Sequence, residues 1–291
     1  VATGHYAGVT RFVDLVSKNG HVNDSSESLR PVTRHADSSL SAGSRARHAS
    51  VIFSSQDATS LHLVIPKDEH KDQTYFLYKL GQKELKHVLF PLGELLKSEV
   101  REIAREAKLP VAEKKDSQGI CFVGDVDVQE FLRRRLEEKL GEVVDVKGRV
   151  IGKHKGVWFY TIGQRGGWEV EGEYQKKFGG ELPVMYVVEK DVAKNRLVVG
   201  FGAETYKDQF AVRDLNFIGE KPGFDNDDIQ VRIRHTGTLL DARISEREGG
   251  QLLVELVEPQ RGVSAGQSVV FYREGECLPA GRQVLGGGVI G

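Results

Sequence analysis

The sequence has little of several features that define whole classes of protein. It contains two cysteines in 291 residues, and its formal net charge is −1. Two cysteines cannot form a disulfide framework, and without a CxxC pair or a Cys/His cluster we expect no metal site. A net charge near zero gives no global attraction to nucleic acid, so such binding must come from local patches. No apolar run approaches the length of a membrane span, and we expect a reducing, cytoplasmic compartment.

The first residues lack an initiator methionine. The opening "VATGHYAGVT" also has neither the basic nor the apolar region of a signal peptide. Because the chain begins directly in what reads as a strand, the sequence predicts a fragment of a longer protein.

The length and the changes of pattern along the chain predict three domains. Residues 1–140 read as part of an α/β domain, which a serine-rich, weakly periodic stretch at about 17–60 interrupts as a disordered insertion. Residues 141–205 form a small β-rich middle part, with one hairpin turning at Lys147-Gly148 and a second in "MYVVEKDVAKNRLVVG". Short alternating strands then recur through 206–291, which favours a small closed β-barrel.

Two helices are predicted in the first part. "KSEVREIAREAKLP" has helical spacing and ends at Pro110, and "DVDVQEFLRRRLEEKL" is also amphipathic. The residues expected to face inward are Val100, Ile103, Ala104 and Ala107 in the first helix and Val128, Phe131, Leu132 and Leu136 in the second.

Cys121 follows a polar run in "KKDSQGICFVG". Neighbouring lysines and converging backbone amides lower the pKa of a thiol and favour the reactive thiolate, although Asp116 opposes this unless it points away. The alternative is an unreactive cysteine packed in the core, which is the commoner state of a single cysteine.

Two further segments carry polar groups next to predicted elements. "ATGHYA" places Gly4 and His5 where a strand ends, and a glycine there lets a ligand approach the backbone. Lys71, Asp72 and Gln73 precede an aromatic run, and they suit contacts to phosphates or base edges. An ordinary strand-to-turn transition and an ordinary capped helix start explain the two patterns equally well.

The remaining candidates lie in turns and on barrel strands. "FYTIGQRGG" presents Gln164 and Arg165 from a turn, which fits either RNA contact or a surface loop. "VRIRH" and "SAGQSVVFY" place Arg234, His235 and Gln267 on strands or rims of the barrel, where each alone carries little weight.

Taken together and in this order, these segments resemble the bacterial tRNA-specific 2-thiouridylases. The similarity covers nearly everything outside 17–60, and "DSQGICF" and the barrel ending make it specific. The matching stretches are "ATGHYA", "KDQTYFLY", "FPLGELLKSEVREIA", "LPVAEKKDSQGICFVG", "FYTIGQR", "VVEKDVAKNRLVVG", "DLNFI" and "PQRGVSAGQSVVFYREGE…LGGGVI". The resemblance implies part of an adenine-nucleotide α-hydrolase-like (PP-loop) α/β domain, then a small β-rich central domain and a C-terminal β-barrel.

The same resemblance implies the chemistry. ATP, with Mg²⁺, adenylates the C2 oxygen of the wobble uridine in tRNA, and a cysteine persulfide then delivers sulfur to that carbon. A protein of a cysteine desulfurase relay loads the persulfide, and a second cysteine resolves it through a transient disulfide.

The family roles transfer residue by residue. Cys121 matches the persulfide-bearing cysteine and Gly4 matches a residue at the ATP. The matched tRNA contacts are His5, Lys71, Asp72, Gln73, Arg234, His235 and Gln267.

Three departures from the family pattern affect these expectations. The phosphate loop Ser-Gly-Gly-x-Asp-Ser and the partner cysteine before "ATGHYA" are absent from these 291 residues, and Cys277 does not replace that cysteine. The chain as given is therefore expected to be inactive by itself. "LPAGRQV" (278–284) interrupts the familiar ending and reads as sequence inserted at a loop.

Two other functions stay open from the sequence. The chain could be a tRNA-binding fragment without catalysis, which would bind tRNA but never thiolate it. It could also be another adenylating ligase of the same α/β fold, which would need no cysteine.

Overall fold

The computed structural model describes residues 8–11, 61–114, 128–224, 228–274 and 282–291. The predicted insertion at 17–60 lies outside these ranges. Among the helices in the described ranges, none combines the length and the apolar character needed to cross a bilayer.

The N-terminal part contributes two strands and three helices. Strand β1 pairs with β2 in antiparallel register, Gly8 opposite Val64. After β2 the chain makes two 3-10 turns, at Glu69–Lys71 and Thr74–Phe76. The elements are β1 (Gly8–Arg11), β2 (Leu61–Val64), α1 (Gln82–Leu85), α2 (Lys97–Glu106) and α3 (Val128–Arg133).

Both predicted helices occur, but their apolar faces are not covered by the described residues. None of the ten residues of α2 is buried, and Ile103 is 52% exposed. Helix α3 is shorter than its periodic pattern, and Phe131 remains 42% exposed. The expectation that these faces pack inward is therefore not met within the described residues.

The middle part is a five-stranded sheet with strand order β5-β4-β3-β7-β6. Both predicted hairpins are confirmed, and Gly148 adopts the positive φ of 78° that the first turn requires. Strands β3 and β7 pair in parallel and join the two hairpins into one sheet. The elements are β3 (Gly141–Asp145), β4 (Val150–His154), β5 (Glu169–Val170), α4 (Gly172–Lys176), β6 (Tyr186–Asp191) and β7 (Arg196–Gly200).

Asn195 connects three segments of the middle part. Its Nδ2 donates to the carbonyls of Lys139 and Leu140 at 3.0 and 3.1 Å, and its Oδ1 accepts from the backbone N–H of Val157 at 3.2 Å. The carbonyl of Asn195 lies 3.1 Å from Nε2 of the buried His154. Because His154 Nδ1 accepts from the Gly156 N–H, its Nε2 carries the proton and donates to that carbonyl.

The C-terminal part is a closed barrel of six strands. The strands follow the order β13-β12-β9-β10-β11-β8, and β8 pairs back to β13 to close the sheet. The barrel prediction is therefore confirmed. Its strands are β8 (Tyr206–Phe217), β9 (Ile229–Arg232), β10 (Leu240–Glu246), β11 (Leu252–Arg261), β12 (Ser268–Glu274) and β13 (Arg282–Ile290).

The three glycines of β13 are explained by close backbone approach. A Cβ added at Gly286 would stand 2.1 Å from the carbonyl oxygen of Asn216, and one at Gly287 would stand 2.4 Å from that of Val269. Side chains at these positions would hold β13 away from its neighbours β8 and β12. The "LGGGVI" ending is thus required by closure of the barrel.

Strand β13 also corrects one expectation from the sequence. Residues 282–284 of the supposed loop insertion are strand residues, and Val284 is fully buried opposite Leu63 and Tyr272. The prediction of a loop is wrong for these three residues, whereas 278–281 lie outside the described ranges. The misreading arose because a short apolar strand beside a turn signal resembles a loop by composition.

The outer face of the barrel is covered by the N-terminal segment. Val270 and Tyr272 of β12 pack in one apolar cluster with Leu63, Tyr75 and Tyr78, separate from the cluster that fills the barrel. The hydroxyl of Tyr75 donates to the carbonyl of Ser268 at 2.8 Å. Strand β2 continues the barrel sheet by pairing with β13, so the two parts share one eight-stranded sheet.

The hydrogen bonds of Asn195 predict its contribution to stability. Asn195→Ala should lower the free energy of unfolding by about 3 kcal/mol, since it leaves buried backbone groups unpaired and puts a Cβ-bearing residue without a local hydrogen bond at φ 49°. Asn195→Gly, which tolerates that φ, should lose about 1 kcal/mol less. Urea denaturation measures both, with the exposed Lys194→Ala as the control that changes stability by under about 0.5 kcal/mol. Wild-type stability of Asn195→Ala would contradict this account.

Candidate nucleic-acid interface

Residues Lys71–Gln73, called the KDQ turn below, connect the two 3-10 turns of the N-terminal part. The first 3-10 turn ends at Lys71 and the second begins at Thr74, so Asp72 and Gln73 form the corner between them. Asp72 is 4% exposed, whereas Lys71 and Gln73 are partly exposed. The corner therefore turns its carboxylate inward between two more accessible polar residues.

Asp72 forms an ion pair with the barrel. Its Oδ2 lies 2.5 Å from Nη1 of Arg232 on β9, and the two side chains are 2% and 10% exposed. Its Oδ1 accepts from the backbone N–H of Thr74 at 2.8 Å. Both carboxylate oxygens are thus engaged, one by the turn and one by the barrel. A contact from Asp72 to RNA stays a prediction, and the observed role of this residue is to fix the turn.

Tyr272 completes the surroundings of this ion pair. The guanidinium carbon of Arg232 lies 5.2 Å from the centre of the Tyr272 ring, and the Tyr272 hydroxyl hydrogen-bonds the Thr74 hydroxyl at 3.2 Å. Burial raises the pKa of the Tyr272 phenol far above its usual range. The phenol is therefore neutral at every physiological pH and acts as a hydrogen-bonding wall of the pocket.

His235 stacks on an exposed aromatic ring. Its ring centroid lies 4.4 Å from that of Phe76, which is 54% exposed, and 6.3 Å from that of Tyr75. Burial lowers the pKa of His235; Asp72 opposes the shift and Arg232 adds to it. A neutral imidazole and a phenyl ring therefore share one accessible face beside the KDQ turn.

Arg234 and Gln267 lie together elsewhere on the barrel. Both line a cleft with the turn at Gly262, where an added Cβ would stand 3.8 Å from Nη1 of Arg234. Arg234 is exposed and Gln267 is partly exposed. Since Arg234 directly precedes His235, the chain joins this cleft to the stacked rings.

Five of the predicted site residues are thus brought to two neighbouring places on the barrel. Lys71 and Gln73 flank the buried ion pair, His235 stacks beside it, and Arg234 and Gln267 line the adjoining cleft. Cys121, Gly4 and His5 lie outside the described residues, so their predicted roles stay predictions. Within the described ranges no group of three His, Cys, Asp or Glu side chains is arranged to hold a metal ion.

Sequence reasoning missed three residues of this region. Arg232 was passed over because an arginine on a strand reads as solvent-exposed, and Phe76 because an aromatic beside a helix start reads as core. Arg261 was not considered, although "PQRG" puts it next to a turn. A signal for the first existed: "SVVFY" is apolar on both faces of β12, which predicts a second covered face of the barrel and therefore buried neighbours.

The buried ion pair predicts a large coupling between Asp72 and Arg232. Asp72→Asn should lower the free energy of unfolding by about 3 kcal/mol, because it leaves the guanidinium buried and unpaired. Asp72→Asn combined with Arg232→Gln should recover more than half of that loss, as measured by a double-mutant cycle in urea.

The matched control is Glu142→Gln, which removes the same charge from the more exposed pair with Arg196. It should cost under about 1 kcal/mol. Equal losses for Asp72→Asn and Glu142→Gln would show that burial adds nothing to the first pair.

Three successive family models match the chain in order. The "tRNA methyl transferase HUP domain" matches residues 1–125, the "tRNA methyl transferase PRC-barrel domain" matches 129–201 and the "Aminomethyltransferase beta-barrel domain" matches 207–290. They correspond to the α/β, central and barrel parts, so the predicted fold class is confirmed.

Curated relatives align with most of the chain. The tRNA-specific 2-thiouridylase MnmA 2 of Caldanaerobacter subterraneus subsp. tengcongensis is 43% identical over 225 residues, which are 77% of this chain and 57% of the relative. MnmA of Chloroflexus aurantiacus is also 43% identical, over 77% of this chain and 58% of its own length. MnmA of Streptococcus thermophilus is 39% identical over 79% of this chain and 59% of its own length.

The chain therefore spans a little under three fifths of the length of the curated relatives that it matches. The domain models nevertheless follow one another along nearly all of it, in agreement with the named relatives. The chain belongs to the family of the tRNA-specific 2-thiouridylases.

Proposed function

We propose that the protein transfers a persulfide sulfur to C2 of the wobble uridine in tRNA, in an ATP-dependent reaction that forms 2-thiouridine. The observation that carries this proposal is the similarity to curated tRNA-specific 2-thiouridylases over about three quarters of the chain. We expect the reaction to take place in the cytoplasm, with a persulfide-carrying protein of a cysteine desulfurase relay as the sulfur donor.

The chemistry assigned to this chain centres on Cys121. Its thiolate would hold the sulfane sulfur, and the terminal sulfur would attack C2 of the target uridine while the activated oxygen leaves. ATP, with Mg²⁺, supplies the activation of that oxygen. The candidate nucleotide residue, Gly4, lies outside the described residues, and no described residue is assigned to ATP.

The geometry beside the KDQ turn supports the tRNA-binding half of the proposal. Phe76 and His235 offer a stacked aromatic pair with one exposed ring, and aromatic side chains are the usual platforms for unstacked RNA bases. Lys71 and Gln73 add a cation and an amide at the edge of the same surface. The buried Asp72–Arg232 pair would keep these groups in fixed relation to the barrel.

The role of Cys121 predicts a clean separation between the two cysteines. After treatment with a persulfide donor, mass spectrometry should find one added sulfur atom on Cys121 in the unaltered chain and in Cys277→Ser, and none in Cys121→Ser. The full gene product should form 2-thiouridine in tRNA with ATP and donor, and Cys121→Ser should abolish it. Cys277→Ser is the matched control and should keep the activity.

Two results would overturn the assignment. Unchanged 2-thiouridine formation by Cys121→Ser would remove the cysteine from the reaction and favour an adenylating ligase. Binding of tRNA by the full gene product without any thiolation would instead favour a binding protein.

The exposed ring of Phe76 predicts a loss of affinity without a loss of fold. Phe76→Ala should weaken tRNA binding by about 5- to 150-fold, because stacking on one base contributes about 1–3 kcal/mol. Its free energy of unfolding should change by under about 1 kcal/mol, since more than half of the side chain is already exposed. Fluorescence anisotropy with labelled tRNA measures the affinity.

Val257→Ala is the control for Phe76→Ala, because Val257 is 66% exposed on β11 and has no aromatic neighbour in the region described above. It should leave tRNA affinity unchanged. Equal affinities of wild type and Phe76→Ala would remove the stacking role.

A further inference from the structure

A cleft of about 530 Å³ opens between the middle sheet and the barrel. One wall is the middle-domain turn that begins at Thr161, and the other is the barrel turn after β11. Its lining residues are Thr161, Ile162, Gly163, Tyr206, Arg234, Gln260, Arg261, Gly262 and Gln267. The cleft below is called the interdomain cleft.

Two glycines bring its walls into contact. Gly163 and Gly262 both adopt positive φ, 82° and 83°, and a Cβ added at Gly163 would stand 3.1 Å from the Cα of Gly262. The two turns therefore meet backbone to backbone, which fixes the width of the cleft at this end. Gln164, which the sequence offered as an RNA contact, is used inside its own turn: its side chain bonds the Thr161 N–H and the Gly166 carbonyl.

Arg261 crosses from the barrel to the middle domain. Its guanidinium carbon lies 3.9 Å from the ring centre of Tyr186 on β6 and 4.8 Å from that of Tyr206 on β8. Its Nε donates to Thr205 Oγ1 at 3.0 Å, and one Nη donates to the Tyr206 hydroxyl at 3.2 Å. Aromatic stacking and two neutral hydrogen bonds thus hold the group in place while leaving its charge uncompensated.

The charges around the cleft are of one sign. Arg234 and Arg261 line it together with the amides of Gln260 and Gln267, and none of its described lining residues is acidic. In the described ranges neither arginine forms an ion pair with a carboxylate. Asp208 and Glu258 line a separate depression that shares only Tyr206 with the cleft.

From this arrangement we infer that the interdomain cleft binds the phosphodiester backbone of the RNA partner, with Arg261 as a preorganised phosphate-binding residue. The inference rests on the proposed function, since it needs tRNA as the ligand. Two fixed guanidinium groups with amide donors between them match the paired oxygens of successive phosphates. Because the stacked Arg261 is already ordered, binding loses less side-chain entropy than it would with a mobile lysine.

The site also extends the known surface in a definite direction. Gln267 and Arg234 are expected tRNA contacts, and Arg234 adjoins the stacked pair of His235 and Phe76. The cleft therefore continues that surface from the aromatic pair toward the middle domain. An RNA strand with a base beside Phe76 would place its backbone along Arg234 and Arg261.

Salt-dependent tRNA binding tests the inference with the chain as it exists. Arg261→Gln should weaken binding and should reduce the slope of log affinity against log salt concentration by about 1, the value expected for one lost phosphate contact. The matched control is Arg247→Gln, which removes one exposed arginine from the loop between β10 and β11, outside the cleft. It should leave the slope unchanged.

A second variant avoids any loss of fold from the missing Arg261 bonds. Thr161→Glu adds a carboxylate to the exposed rim of the cleft and keeps every contact of Arg261, so it should also weaken binding, by about 10-fold. Thr161→Gln has the same length without the charge and should bind like wild type.

The outcomes separate this inference from the proposed function. If wild type binds tRNA while Arg261→Gln and Thr161→Glu keep its affinity and slope, the cleft is not a backbone site and the proposed function stands. If wild type does not bind tRNA, both fall. If inorganic phosphate at constant ionic strength displaces tRNA from wild type but not from Arg261→Gln, the cleft takes free anions and the inference is wrong.

Discussion

The buried ion pair between Asp72 and Arg232 is the contact on which the arrangement of the candidate interface depends. It joins a corner of the N-terminal part to the outer face of the barrel across 160 residues of sequence. Hydrophobic packing of Leu63, Tyr75 and Tyr78 on the barrel holds the two parts together, but it is tolerant of small shifts. A short ion pair inside that packing is directional, and it therefore selects one position of the KDQ turn.

The cost of burying two charges explains why the pair is so fully surrounded. Desolvation of a carboxylate and a guanidinium is repaid only when their remaining hydrogen-bonding groups are also satisfied or shielded. Here the Thr74 N–H takes the second carboxylate oxygen and the Tyr272 ring covers the guanidinium. An apolar pair of equal volume would serve stability as well. The charged pair instead gives a defined geometry to the polar residues beside it, which is what a binding surface needs.

The sequence predicted the parts of the fold that local pattern determines. Both middle hairpins and the first five barrel strands follow from alternation and turn residues, and they are present. It could not predict β13 at 282–284, because that strand is specified by partners on β2 and β12 that are distant in the chain. For the site, motif matching predicted Arg234, His235 and Gln267, whereas Arg232 and Arg261 depend on contacts between domains. Such contacts leave no periodic signal, so the pairing of Asp72 with Arg232 could be found only in three dimensions.

The near-zero net charge makes this local organisation necessary. A protein with net charge −1 gains little long-range attraction for RNA, and exposed charges are screened beyond about 8 Å at physiological salt. Affinity must then come from cations that lie next to a phosphate and are not already neutralised by a carboxylate. Arg234 and Arg261 meet that condition because tyrosine rings, glycine backbone and amides surround them instead of acids. The same carboxylate chemistry that is buried to fix Asp72 is excluded from the cleft, and this separation lets a neutral protein present a cationic surface.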